Sequence, residues 1–259
     1  LTLLVLCVAI CTKANTIYEL SAETSADRNT NLYYTPKSQM EKLDRAPVAL
    51  PASSGKGVFL SWRFLGTDNL QTKFDVVRNG STIKRDLSVT NFTDATGANT
   101  NSYVIVAKVN GKEIDRTEPV SSWGNIFRRQ TLDRPAGGTI GGAEYTYSPN
   151  DCSVGDVDGD GKYELIVKWD PSNSHDNSQS GYTGNVYLDA YKLNLDSETP
   201  TKLWRIDLGK NIRAGAHYTQ FLVYDFDGDG KAELICKTAA GSKDGAGNYV
   251  SEAATDATI

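Results

Sequence analysis

Only two histidines and four cysteines occur among the 259 residues, and each scarcity closes off a class of chemistry. Cys7 and Cys11 stand within the first fourteen residues, LTLLVLCVAICTKA, so the remainder carries Cys152 and Cys236 alone. So few thiols exclude a disulfide-stapled scaffold. The two flank different copies of an internal repeat and are expected as separate buried thiols, with a Cys152–Cys236 bridge as the alternative. Basic residues are also in the minority, with 27 Lys and Arg against 32 Asp and Glu and a net charge of −5. No Lys/Arg cluster occurs, which argues against nucleic acid as a partner, because phosphate binding needs a basic surface. The apolar run in residues 1–14 is too short for a bilayer span of about 20 residues. It closes on small residues in the manner of a secretory signal. We read it as a signal peptide clipped at its start, which predicts an exported, extracellular protein with no membrane segment after processing. Loss of Lys13 would take the 27 basic residues to 26 against 32 acids, a net of −6.

Beyond the signal, helical periodicity is missing and alternation takes its place. From residue 18 to 119, GVFLSWRFL, FDVVRNG and NSYVIVAKVNGKEI alternate apolar and polar positions between Gly, Asn, Asp and Thr clusters, the pattern of strands and turns. RNGS and VNGK are Asn-Gly hairpin signals. The expectation is a fibronectin type III-like β-sandwich over 18–119, with Trp62 in its core. GGTIGG, in the connection that follows, lacks the flanking strand and helix of a nucleotide fingerprint and is expected as turns. Residues 120–259 again read as all-β.

Two phrases 69 residues apart are nearly identical: DVDGDGKYELIVK from Asp156 and DFDGDGKAELICK from Asp225. Asp156, Asp158 and Asp160 can aim their carboxylates at one point only if the chain curls, which Gly159 and Gly161 permit. Lys162 would add its backbone oxygen at position seven, and Glu164 closes the set at position nine. Asp225, Asp227, Asp229, Lys231 and Glu233 repeat the arrangement. Hard oxygen donors without nearby His or Cys predict Ca²⁺ as cofactor and argue against zinc. An EF-hand is excluded, since its twelfth position is occupied here by Val167 and Cys236. The 69-residue period fits one four-stranded propeller blade with a long loop, a unit that stacks on its neighbours.

These phrases, together with MEKLDRAPVAL, WRFLGTD, KWDPSN and RAGAHYTQF, resemble the rhamnogalacturonan lyases of polysaccharide lyase family 11 across essentially the whole mature chain. The resemblance implies a small β domain followed by a calcium-binding, eight-bladed β-propeller, of which this chain would hold the first blades. It implies β-elimination at galacturonate in the rhamnogalacturonan I backbone of pectin, an acidic polysaccharide partner and a monomer. Asn150 and Asp170 are the substrate-binding candidates it implies; capping of local turns is their alternative role. His217 is the candidate base on chemical grounds, though no catalytic residue is assigned. The competing reading is a non-catalytic, calcium-stiffened propeller module for carbohydrate binding or adhesion.

Overall fold

The computed structural model describes residues 41–176, 178–215 and 218–251. Those residues form β-strands, turns and irregular connections with no helix, so the all-β expectation holds. Residues 1–40, the expected signal among them, and His217 lie outside the described residues. No described segment is a helix long and apolar enough to cross a membrane.

The leading half is a two-sheet antiparallel sandwich of the fibronectin type III-like kind. One sheet orders β1 (Val48–Pro51), β2 (Val58–Ser61) and β5 (Asn91–Asp94) side by side. The other runs β4 (Ser81–Leu87), β3 (Lys73–Arg78), β6 (Ser102–Val109) and β7 (Lys112–Arg116), with β8 (Val120–Ser121) also paired to β6. Alternation explains the core, because Val58 and Leu60 of one sheet and Phe74, Val76, Tyr103, Ile105 and Ala107 of the other point into the gap. Trp62 is buried among them and meets Phe74 edge-on, with ring centroids 5.5 Å apart. Both Asn-Gly hairpins form: Asn79 and Gly80 have φ of 48° and 80°, Asn110 and Gly111 of 51° and 77°. Positive φ at both central residues is what a type I′ turn requires. The edge strands β4 and β7 carry Lys84, Arg85, Lys112, Glu113 and Arg116, charges that discourage edge-to-edge pairing.

The trailing half opens with a small hairpin, β9 (Gly138–Ile140) and β10 (Ala143–Tyr145), whose turn is Gly141-Gly142. Of GGTIGG, Gly141-Gly142 is a turn, as expected, while Gly138–Ile140 form a short strand. A four-stranded antiparallel meander follows, in the order β11 (Tyr147–Gly155), β12 (Glu164–Pro171), β13 (Tyr187–Lys192) and β14 (Thr201–Asp207). Then β15 (Phe221–Tyr224) and β16 (Glu233–Cys236) begin a second unit. The repeat extends to the hydrogen-bond register: Gly155 faces Glu164 and Val154 faces Leu165 in the first copy, and Tyr224 faces Glu233 and Val223 faces Leu234 in the second. Each pair lies 69 residues from its counterpart. The repeat sheet is apolar on both faces, as a stacked sheet must be. On one, Val186, Leu188, Leu208 and Ile212 pack with Phe221, Leu234 and Cys236 of the second unit; on the other, Tyr147, Val167, Trp169 and Tyr191 form an aromatic cluster. Gly155 is set by space here, since a Cβ there would lie 2.6 Å from Val223 Cγ1 and 2.7 Å from Ala232 Cβ. The described residues thus hold one four-stranded unit and the first hairpin of a second.

Cys152 and Cys236 are both free thiols. The expectation of burial fails for Cys152, which is exposed. It ends the register shift between Pro149 and Cys152 in β11, where the bulge turns side chains away from the alternating pattern. Cys236 is half-buried, and burial pushes its thiol up to about 11.

Candidate metal centre

Each acidic phrase forms the turn between the first two strands of its unit, and the two turns close in the same way. Asp156 Oδ1 accepts from the amides of Gly159 (2.7 Å) and Asp160 (3.0 Å), while Oδ2 accepts from Gly161 (2.8 Å). Asp225 does likewise for Gly228 (2.7 Å) and Gly230 (3.0 Å). Glu164 Oε2 accepts from Val157 (2.9 Å) and Glu233 Oε2 from Phe226 (2.8 Å). The first aspartate and last glutamate are thereby aimed inward by backbone donors, and φ of +80° and +87° at Gly159 and Gly161 makes the curl possible.

The second turn gathers all four expected carboxylates: Asp225, Asp227, Asp229 and Glu233 offer oxygens within 4.8 Å of one another. In the first, only Asp156, Asp158 and Glu164 meet that condition. Lys192, at the end of β13, enters the first turn, its ammonium 2.6 Å from Asp158 Oδ2 and 2.7 Å from Asp160 Oδ2. This lysine went unnoticed in the sequence, because it lies outside the phrase and only strand pairing delivers it.

Both sets fit a hard cation, the first on two grounds and the second on one. Glu164 is fully buried and its Oε1 has no hydrogen-bond partner, an acceptor left without a positive group. Burial first, then the charges of Asp158 and Asp160, raise the Glu164 pKa above the ordinary glutamate value. Burial likewise raises that of Glu233, with Asp227, Asp225 and Asp229 adding to it. Such sites favour either a proton or a bound cation. Val167, at EF-hand position twelve, is buried in the aromatic cluster and is not a ligand.

The substrate-binding candidates sit at the opposite end of the same sheet. Asn150 is exposed in the bulge of β11, and its Oδ1 accepts from the Asp151 amide at 2.9 Å. Asp170 pairs across the ladder with Ser148, two residues before Asn150, which lies in the bulge without a registered partner. Asp170 Oδ2 accepts from Ser174 Oγ at 2.8 Å, a turn-organising bond, whereas Oδ1 is buried without a partner. The loop after KWDPSN is brought to the start of RAGAHYTQF here: the His175 amide donates to Ala214 O at 3.2 Å, and Arg213 donates to the carbonyl of Gln179 at 2.6 Å.

Comparison with known proteins settles the family. The rhamnogalacturonan lyase family 11 C-terminal domain matches residues 127–258. The chain belongs to rhamnogalacturonan lyase family 11. Residues 38–123 of this family 11 chain match the rhamnogalacturonan I lyase β-sheet domain. It is 56% identical over 220 residues to rhamnogalacturonan endolyase YesW of Bacillus subtilis (strain 168), a match covering 84% of this chain and 34% of that protein. To rhamnogalacturonan exolyase YesX of the same organism it is 51% identical over 223 residues, 85% of this chain and 35% of that one. The crystal structure of YesX aligns with a TM-score of 0.77 at 50% identity, covering 84% of this chain and 35% of that chain. That of Bacillus licheniformis rhamnogalacturonan lyase PL11 aligns at 0.76 and 54%, covering 84% and 37%. The chain spans about a third of the length of these relatives.

Proposed function

We propose that this chain is part of an exported, monomeric rhamnogalacturonan lyase that cleaves the rhamnogalacturonan I backbone by β-elimination at galacturonate, with Ca²⁺ in both acidic turns. The observation that carries the reading is 56% identity to a protein named as a rhamnogalacturonan endolyase. In the first turn Asp156, Asp158 and Glu164 would hold the ion, joined by Asp160 and the Lys162 carbonyl; in the second, Asp225, Asp227, Asp229, Glu233 and the Lys231 carbonyl. Carboxylate and carbonyl oxygens in a flexible turn suit calcium better than softer metals. A bound divalent ion supplies fixed positive charge that cancels carboxylate repulsion and stiffens the turn between stacked sheets.

The elimination requires that the uronate carboxylate be neutralised and that a base then take the C5 proton. For this chain we assign binding alone: Asn150 offers an exposed amide, and Asp170 keeps a buried carboxylate oxygen without a hydrogen-bond partner. We read the described meander as the first blade of a propeller whose outer rim carries the calcium turns.

The test is to incubate the purified protein with rhamnogalacturonan I, with calcium and with chelator. The readout is the ultraviolet absorbance of the conjugated 4,5-unsaturated uronate. New absorbance abolished by chelator supports the reading. Polymer binding without new absorbance would replace it with a non-catalytic carbohydrate-binding module.

A further inference from the structure

The segment 41–46 crosses the first acidic turn on its way into the sandwich, and its contacts place two adjacent residues in two different bodies. Arg45 is buried in the sandwich, where its guanidinium meets Asp68 at 2.7 and 2.8 Å and Asp115 at 2.6 Å. The amide of Asp44, one residue earlier, donates to Gly161 O at 2.8 Å. Gly161 is position six of the acidic turn. Its carbonyl shares a peptide unit with the Lys162 amide, which donates to Asp160 Oδ1 at 2.9 Å, and its own amide donates to Asp156 Oδ2 at 2.8 Å. One peptide unit is therefore tied to a turn carboxylate through its N–H and to the leading segment through its C=O. Hydrogen bonds in such a chain polarise one another, so whatever fixes the carboxylates strengthens the outer bond as well.

Two further contacts lie on the same seam. Leu43 is buried, and the Arg63 guanidinium of the sandwich stacks on the Tyr163 ring of the turn, 4.2 Å from its centroid. A Cβ at Gly161 would stand 3.0 Å from Lys42 O and 3.4 Å from Asp44 N. At Gly230, the equivalent of Gly161 in the second turn, a Cβ would meet nothing within 4 Å. Gly161 thus lies against the leading segment, whereas Gly230 does not.

We infer that the first acidic turn is also the joint between sandwich and repeat sheet, so that a cation bound there fastens the segment 41–46 and fixes how the sandwich is held. This rests on the cation reading of the turn and adds its structural consequence. Without the ion, the convergent carboxylates repel, the Gly161–Lys162 peptide loses its fixed orientation, and the Asp44 amide loses its acceptor.

Hydrogen exchange on the full chain, with Ca²⁺ and with chelator, tests this amide by amide. Calcium should slow exchange at the Asp44 amide by about tenfold or more, alongside the amides of Gly159 and Gly161. The variants Gly161→Ala and Gly230→Ala carry matched backbone strain, since the two glycines have φ of +87° and +96°. Gly161→Ala should abolish the protection of Asp44 while Gly230→Ala keeps it. If the amides of both turns respond to calcium and Asp44 does not, the joint is wrong and the cation reading stands. If no turn amide responds and calorimetry registers no calcium binding, the cation reading fails and takes the joint with it.

Discussion

The sandwich and the acidic turns treat buried carboxyl groups in opposite ways. In the sandwich, Asp68 meets Arg45 at 2.7 Å, Asp75 meets Lys108 at 2.8 Å and Asp94 meets Arg78 at 2.7 Å. Burial works against ionisation of all three, yet these partners, with the hydroxyls of Thr96 and Tyr103 around Asp94, outweigh it and hold the carboxyls below their ordinary value. In the acidic turns, Glu164 and Glu233 move the other way, raised by burial and by neighbouring carboxylates. One region neutralises itself with its own cations. The other gathers negative charge faster than the chain supplies positive charge, and that surplus is the physical case for an external ion.

The largest expected effect breaks the self-neutralised side. Arg45 and Asp68 are only 2% and 4% exposed, and removing one member of so buried a pair leaves an uncompensated charge costing about 3–5 kcal/mol. Arg45→Ala should therefore destabilise the sandwich by that order in equilibrium unfolding. A loss under about 1 kcal/mol would mean that the pair is not desolvated as described.

Next comes removal of the ion. An ion at roughly 100 times its dissociation constant stabilises a fold by about 2.7 kcal/mol per site. Calorimetric unfolding with and without chelator should lower the transition of the repeat sheet and leave that of the sandwich core in place. Equal shifts in both would dissolve the distinction between the two regions.

What the sequence made legible was local. The acidic turns, both Asn-Gly hairpins and Trp62 were readable because spacing and turn chemistry act over a few residues. What escaped it was brought in from afar. Lys192 reaches Asp158 across 34 residues, the Asp44 amide reaches Gly161 with the whole sandwich between them in sequence, and Cys152 is turned out by a bulge that no alternation announces. Asp189 is a further case: fully buried in β13, it accepts from Trp169 Nε1, Tyr191 Oη and Arg205, four bonds assembled from three strands.

The two regions should also separate along the pH axis, by less than chelation achieves. A carboxyl lowered on folding contributes stability that is full above its ordinary value of 3.8 and is lost as pH falls through the lower folded value. A carboxyl raised on folding contributes stability that is full below its ordinary value of 4.5 and is lost as pH rises through the higher folded value. In metal-free protein, acidification from neutral pH toward 4.5 should therefore strengthen the repeat sheet and leave the sandwich unchanged. Below 3.8 the sandwich should weaken. With calcium bound, the gain on acidification should vanish, because the ion already compensates both glutamates. A repeat-sheet transition indifferent to pH without metal would count against the crowding of carboxylates.

The smallest effect isolates the one side-chain cation that pairs with an acidic turn among the described residues. Lys192 neutralises Asp158 and Asp160, and the hydrogen bonds they make raise its own pKa. Lys192 and its two partners are about a third exposed, so such contacts are worth about 0.2–1 kcal/mol. An entering ion must displace this ammonium before Asp160 can turn inward, whereas no ammonium occupies the second turn among the described residues. Calcium titration should then resolve a tighter second site and a weaker first one. Lys192→Met, which keeps the apolar stem, should tighten the first by about fivefold at most, an energy near 1 kcal/mol, without moving the second. A titration in which the variant loses affinity would make Lys192 a support that positions the turn instead of a competitor for it.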